Sequence, residues 1–98
     1  MNKLALAFHC LDDDPDQAAA LANEVFREDP DSQAAMFILG TLYSRAEKFG
    51  PALALFQRIV KINPKRHEAW SNLGMCFMEC ARYQEAVDTF KTAIELEK

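Results

Sequence analysis

An all-α solenoid of antiparallel helix pairs is the fold this sequence predicts, on three observations. The chain repeats itself at a spacing of 34: Gly40 recurs as Gly74, Leu39 as Leu73, Ala52 as Ala86, Phe56 as Phe90 and Pro30 as Pro64. Met36 with Trp70, Tyr43 with Phe77 and Phe49 with Tyr83 recur in kind. A fixed period of that size marks stacked supersecondary units, each too small to bury its own apolar face. The composition agrees. The 98 residues, 50% of them hydrophobic, include three Gly and four Pro, too few turn formers for a sandwich or a disordered chain. Finally, Leu, Ala, Glu, Lys and Gln fill the periodic stretches, and these residues favour helix.

Six amphipathic helices follow in order. The first is expected over residues 2–11, with Leu4, Phe8 and Leu11 at helical spacing. Asp12, Asp13 and Asp14 stop it. Asp14-Pro15 starts the second, over 15–27, as an N-cap acceptor followed by proline at the first helical position. Asp29-Pro30 ends it, because the residue before proline avoids the helical region. Asp31 or Ser32 caps the third, over 33–46, and Glu47-Lys48 turns tightly into the fourth, over 49–62. Asn63-Pro64 terminates that helix. The fifth covers 66–80, Ala81-Arg82 makes the next turn, and the sixth covers 83–97. Connections this short force neighbouring helices to run antiparallel. No linker or low-complexity segment interrupts, so a single domain is expected, with repeats at about 1–32, 33–66 and 67–98.

The formal net charge is −4 and the isoelectric point is about 5.1. Nucleic-acid platforms show a basic face. Here Lys and Arg gather only over 61–66, a helix end and a loop, so no nucleic-acid partner is expected. The apolar runs fall far short of the ~20 residues that span a bilayer, and no membrane insertion is expected. Residues 1–11 hold one Lys and His9 and lead into three aspartates, which reads poorly as a signal peptide. Three cysteines is an odd number. That argues against a disulfide framework and for a reducing, cytoplasmic setting.

The repeat resembles the tetratricopeptide repeat. That pattern sets a bulky residue before Leu-Gly and an aromatic in one helix, then a small residue with an aromatic four on in the next, closed by Pro. Trp70, Leu73, Gly74, Phe77, Ala86, Phe90 and Ala93 meet it in the last copy, where Lys98 stands in place of the proline. Met36, Leu39, Gly40, Tyr43, Ala52, Phe56, Ile59 and Pro64 meet it in the middle copy. The first copy is degenerate. Ala18, Ala22, Val25 and Pro30 fit, but His9 takes the aromatic position. Glu47 and Ala81 replace the usual turn glycine. Gly40, Gly74, Ala52 and Ala86 mark where the two helices of a repeat touch, since a larger side chain would push them apart.

The resemblance implies a right-handed superhelix whose first helices line a concave groove. It also implies a protein-interaction module without cofactor or metal. The family's groove positions fall here on Ala34, Phe37, Thr41, Ser44 and Arg45, then on Glu68, Ser71, Met75, Met78 and Glu79. In the first copy they fall on Lys3, Ala7, Cys10 and Leu11. Leu11, Phe37, Met75 and Met78 form an apolar strip suited to a peptide or an amphipathic helix, because Met adapts its shape. Arg45, Glu68 and Glu79 would set the charge at its edge. Some members hold an acidic chaperone tail in a Lys, Asn and Arg clamp. Only Lys3 stands at a clamp position here; Ala7, Ile38, Glu68 and Asn72 occupy the others. An acidic tail is not expected to bind.

Other constellations carry less. Cys76 and Cys80 lie one helical turn apart, but no Cys-x-x-Cys or His pair completes a zinc set, so small buried thiols are expected. Asp12, Asp13, Asp14 and Asp16 lack the glycine and distal Glu of a calcium loop and read as helix stop, cap and dipole partners. His9 is expected in the core or at its rim. Neither a nucleophile arrangement nor a phosphate loop is present, so the chain is not expected to be an enzyme.

The last helix carries Val87, Phe90, Ile94 and Leu96, which one repeat pair cannot bury entirely. Solenoids need capped ends. A homo-oligomer through this helix, or a longer natural array, is therefore expected. The function expected is a scaffold that binds a peptide or helix in its groove. Two alternatives remain at this point: a secretion-type chaperone cradling an apolar client segment, and a non-catalytic regulatory segment of a larger enzyme.

Overall fold

Local hydrogen bonds cap the first three helices, and the bonds that close the turns recur at the repeat spacing. The computed structural model describes residues 2–97, and among them lie six helices and no strand. These are α1 (Lys3–Cys10), α2 (Pro15–Glu28), α3 (Gln33–Arg45), α4 (Phe49–Ile62), α5 (His67–Glu79) and α6 (Tyr83–Glu97). The side chains of Asn2, Asp14 and Ser32 accept from the backbone N–H of Ala5, Gln17 and Ala35, satisfying donors that the first helical turn leaves free. Ser32, and not Asp31, caps α3. Asp29 and Asn63 each turn the chain before the next repeat by accepting from the N–H two residues on, at Asp31 and Lys65.

The turns inside the second and third repeats are built alike without glycine. Glu47 and Ala81 sit in the left-handed region, with φ of 61° and 60°. The N–H of Lys48 donates to Tyr43 at 2.8 Å and that of Glu47 to Ser44 at 3.0 Å. Arg82 to Phe77 and Ala81 to Met78 repeat the pair at 2.9 and 3.0 Å. This double closure satisfies the last carbonyls of α3 and α5. The hydrogen bonds hold two non-glycine residues where a side chain costs about 1–2 kcal/mol.

Each helix packs on the next, and α1 also reaches α3. Within the second repeat, a Cβ added to Gly40 would come 2.8 Å from Cζ of Phe56. In the third, one added to Gly74 would come 2.8 Å from Cε1 of Phe90. The glycines are therefore required by the close approach of a ring. Around these contacts Met36, Ala52, Phe56, Ile59, Leu73 and Phe77 form a core continuous across the second and third repeats. The indole N–H of Trp70 donates to the Pro64 carbonyl at 2.8 Å and ties the α4–α5 loop to α5.

The first repeat solves the same contact the other way round. In register, Leu6 stands where Gly40 and Gly74 do, and Ala22 stands where Phe56 and Phe90 do. Ala22 is fully buried, and half-buried Leu6 packs on its cluster. Ala22 is thus an inversion of the repeat pattern, not the match expected from sequence.

Other expectations about burial are corrected. Phe8 is 45% exposed, while Ala7, a predicted groove position, is fully buried. Ala7 faces the α2–α3 cluster, and the outer face of α1 has no neighbour among the described residues. His9 is exposed, on the rim and not in the core. Cys76 is buried, but Cys10 is only half-buried and Cys80, the C-cap of α5, is exposed.

Candidate protein-binding site

The side chains predicted to face the groove come from α1, α3 and α5, and the structure divides them. Met75 and Met78 are the open ones, 59% and 47% exposed on α5. Phe37 is half-buried. Its ring stands edge-on to Phe56 at 5.8 Å, and the Arg66 guanidinium lies 5.0 Å from its centre. One face of Phe37 is thus committed to packing. Thr41, Ser71 and Leu11 are half-buried, and Glu68 and Glu79 are exposed.

Ser44, Arg45, Met75 and Glu79 meet in one cleft of about 380 Å³, closed by Phe49, Asn72 and Cys76. Phe37, Thr41, Glu68, Ser71 and Met78 do not line it. Two of the predicted polar groups are already engaged. The Arg45 guanidinium donates to the Asp12 carboxylate at 2.9 Å and to the Leu11 carbonyl at 3.5 Å. The Ser44 hydroxyl lies 3.6 Å from the Cys76 sulfur. Burial pushes the Cys76 thiol above its ordinary pKa, and the contact with Ser44 partly opposes that shift. The thiol is therefore a packing group, without the lowered pKa of a nucleophile. Glu68 lies 3.2 Å from Nε2 of His67, whose Nδ1 faces Glu97 at 3.3 Å.

A second cleft, of about 640 Å³, opens where α2 meets α3. Leu11 and Arg45 reach its edge, but most of its lining was not among the expected site residues. The signal lay in the repeat register: Pro15 and Ala19 stand where the next repeat has Phe49 and Leu53.

The outer face of α6 is the third apolar feature. Val87 and Ile94 are 46% and 57% exposed. Phe90 and Leu96 are half-buried, Phe90 because it lies against Gly74. Tyr83, 64% exposed, belongs to the same face and was missed. Its equivalence to Phe49 could have found it.

Three stacked helix pairs with exposed methionines on α5 and two side clefts define a helical-repeat scaffold. No group of three or more potential metal ligands gathers among the described residues. No helix among them is long and apolar enough to cross a membrane. The chain belongs to the tetratricopeptide-repeat family: a family model described as anaphase-promoting complex, cyclosome, subunit 3 matches residues 12–93. Among curated relatives, the general transcriptional corepressor ssn6 of Schizosaccharomyces pombe is 31% identical over 82 residues, covering 84% of this chain and 7% of that protein. The peroxisomal targeting signal receptor of Candida glabrata is 30% identical over 77 residues, covering 79% of this chain and 12% of the relative. A solved structure of MamA AMB-1 superposes with a TM-score of 0.85 at 25% identity, covering 96% of this chain and 52% of that one. The chain thus spans about a tenth of the length of the curated relatives it matches and half of the MamA chain.

Proposed function

We propose that this chain is a non-catalytic, cytoplasmic scaffold segment that docks a peptide or amphipathic helix of a partner protein across α3 and α5. The observation that carries the reading is the exposure of Met75 and Met78 on α5, with the half-buried ring of Phe37 on α3. Exposed, flexible thioethers fit an apolar helix face without demanding one shape. A similar relative is named as a receptor for a targeting signal, which supports peptide recognition as the task. The test begins with a partner retained from native lysate and then identified. Its affinity for the Phe37→Glu/Met75→Glu double variant should fall by about a hundredfold or more, as for paired hot spots, with the helical circular dichroism unchanged. Unchanged affinity would sink the groove assignment.

A second reading concerns α6. Tyr83, Val87 and Ile94 present an apolar face in the register that α4 uses to receive α5. Self-association through that face follows. Light scattering that shows a strict monomer at high concentration would remove it.

A further inference from the structure

The two junctions between repeats share one register but are filled differently. At the α4–α5 junction, α4 supplies half-buried Phe49 and Leu53, which is 8% exposed. At the α2–α3 junction, α2 supplies Pro15 and Ala19 in their place. A ring and most of an isobutyl group are therefore missing from the first junction, and the 640 Å³ cleft stands there. Tyr43 registers the same difference. It is 37% exposed, whereas Phe77 at the equivalent place is 5% exposed beneath the Arg82 guanidinium.

The floor of the cleft is apolar, from Ala19, Leu39 and Leu42, and its edge carries Asp12, Asp16, Arg45 and Lys48. Arg45 and Asp12 neutralise each other at 2.9 Å. Asp16 lies in the first turn of α2, where the helix dipole offsets a carboxylate. Lys48 is then the cation at this edge without an ion-pair partner among the described residues.

We infer that this cleft is a binding site for one aromatic side chain of a partner peptide, with a carboxylate next to it that meets Lys48. The volume falls within the ~300–1,000 Å³ of clefts that enclose small ligands. The second junction shows that an aromatic and an aliphatic group fill the corresponding space. The site goes beyond the α3–α5 strip, because Phe37, Met75 and Met78 line no part of it.

N-acetyl-L-phenylalanine, which carries the ring and the carboxylate, is the probe, with N-acetyl-L-phenylalaninamide as its uncharged counterpart. Backbone amide shifts on titration are expected at residues 12–23 and 39–48, with the amide weaker by about two- to fivefold, the size of an exposed ion pair. Ala19→Leu installs the arrangement of Leu53. It should weaken probe binding by about tenfold or more while raising the melting temperature, as a filled cavity does. Ala19→Val, the residue type of Val87 in the same register, serves if Leu overfills the space. Shifts centred on Phe37 and Met75, unaltered binding in the filled variant, equal binding of acid and amide, or no saturable binding at millimolar probe would each overturn the assignment.

Discussion

In the second repeat Phe56 lies against Gly40 and is 1% exposed; in the third, Phe90 lies against Gly74 just as closely and is only half-buried. The residues inside each pair are the same, so the pair itself does not explain the difference. It comes from α5, whose Ala69, Leu73, Cys76 and Phe77 join the cluster around Phe56. No described helix stands in that place against α6. A repeat in this chain therefore fixes the geometry of its own contact, while the next repeat fixes how much that contact is worth.

Removing the two rings should widen this comparison most. Phe56→Ala is expected to lose about 3–5 kcal/mol, as buried rings do. Phe90→Ala should lose about 2 kcal/mol, because less surface leaves water at that site. Urea denaturation of both variants measures the gap. Equal losses would mean that α5 adds nothing to Phe56.

Adding one methyl group probes the same contacts more finely. Gly40→Ala gains about 1 kcal/mol of helix propensity, but it drives a Cβ into an enclosed ring at a cost of about 1–3 kcal/mol. A net loss is expected. At Gly74 the ring of Phe90 can swing towards solvent, and the two effects should nearly cancel. Thermal unfolding of the pair separates them, and a larger loss at Gly74 would reverse the interpretation.

The smallest effect should be identical in both repeats. Glu47→Gly and Ala81→Gly relieve left-handed backbone, and each should add about 1 kcal/mol. For a domain of this size that is about 4–8 °C in melting temperature. The turns close on their own helix and not on a neighbour, so unequal gains would show that the turn also depends on stacking.

The sequence registers what each repeat does alone. The bounds of α4 and α6 are those expected, because the caps and turns beside them are local chemistry. Helices α3 and α5 stop one residue early, since Ala46 and Cys80 become C-caps of the left-handed turns. The core glycines and rings were legible for the same reason. Phe8, Cys80 and Tyr83 were not, because their exposure depends on which helix lies across from them. Register places Arg45 late on α3, where it lines both clefts. Its engagement by Asp12 is a contact between repeats that no local pattern announces. The large cleft was legible in principle, as Pro15 and Ala19 against Phe49 and Leu53, but only by comparing copies for size and not for pattern.

The exchanged sizes of Leu6 and Ala22 have a consequence for how the helices find each other. Were α1 to pair with α4, Leu6 would collide with Phe56; were α3 to pair with α2, Gly40 would face Ala22 across a hole. Either error costs several kcal/mol, on the order of 2–5. In a chain of copies built to one pattern, this mismatch sorts the first pair from the others and guards it against helix exchange between molecules. The second and third pairs, both glycine against phenylalanine, carry no such mark. Swapped or scrambled pairing belongs there.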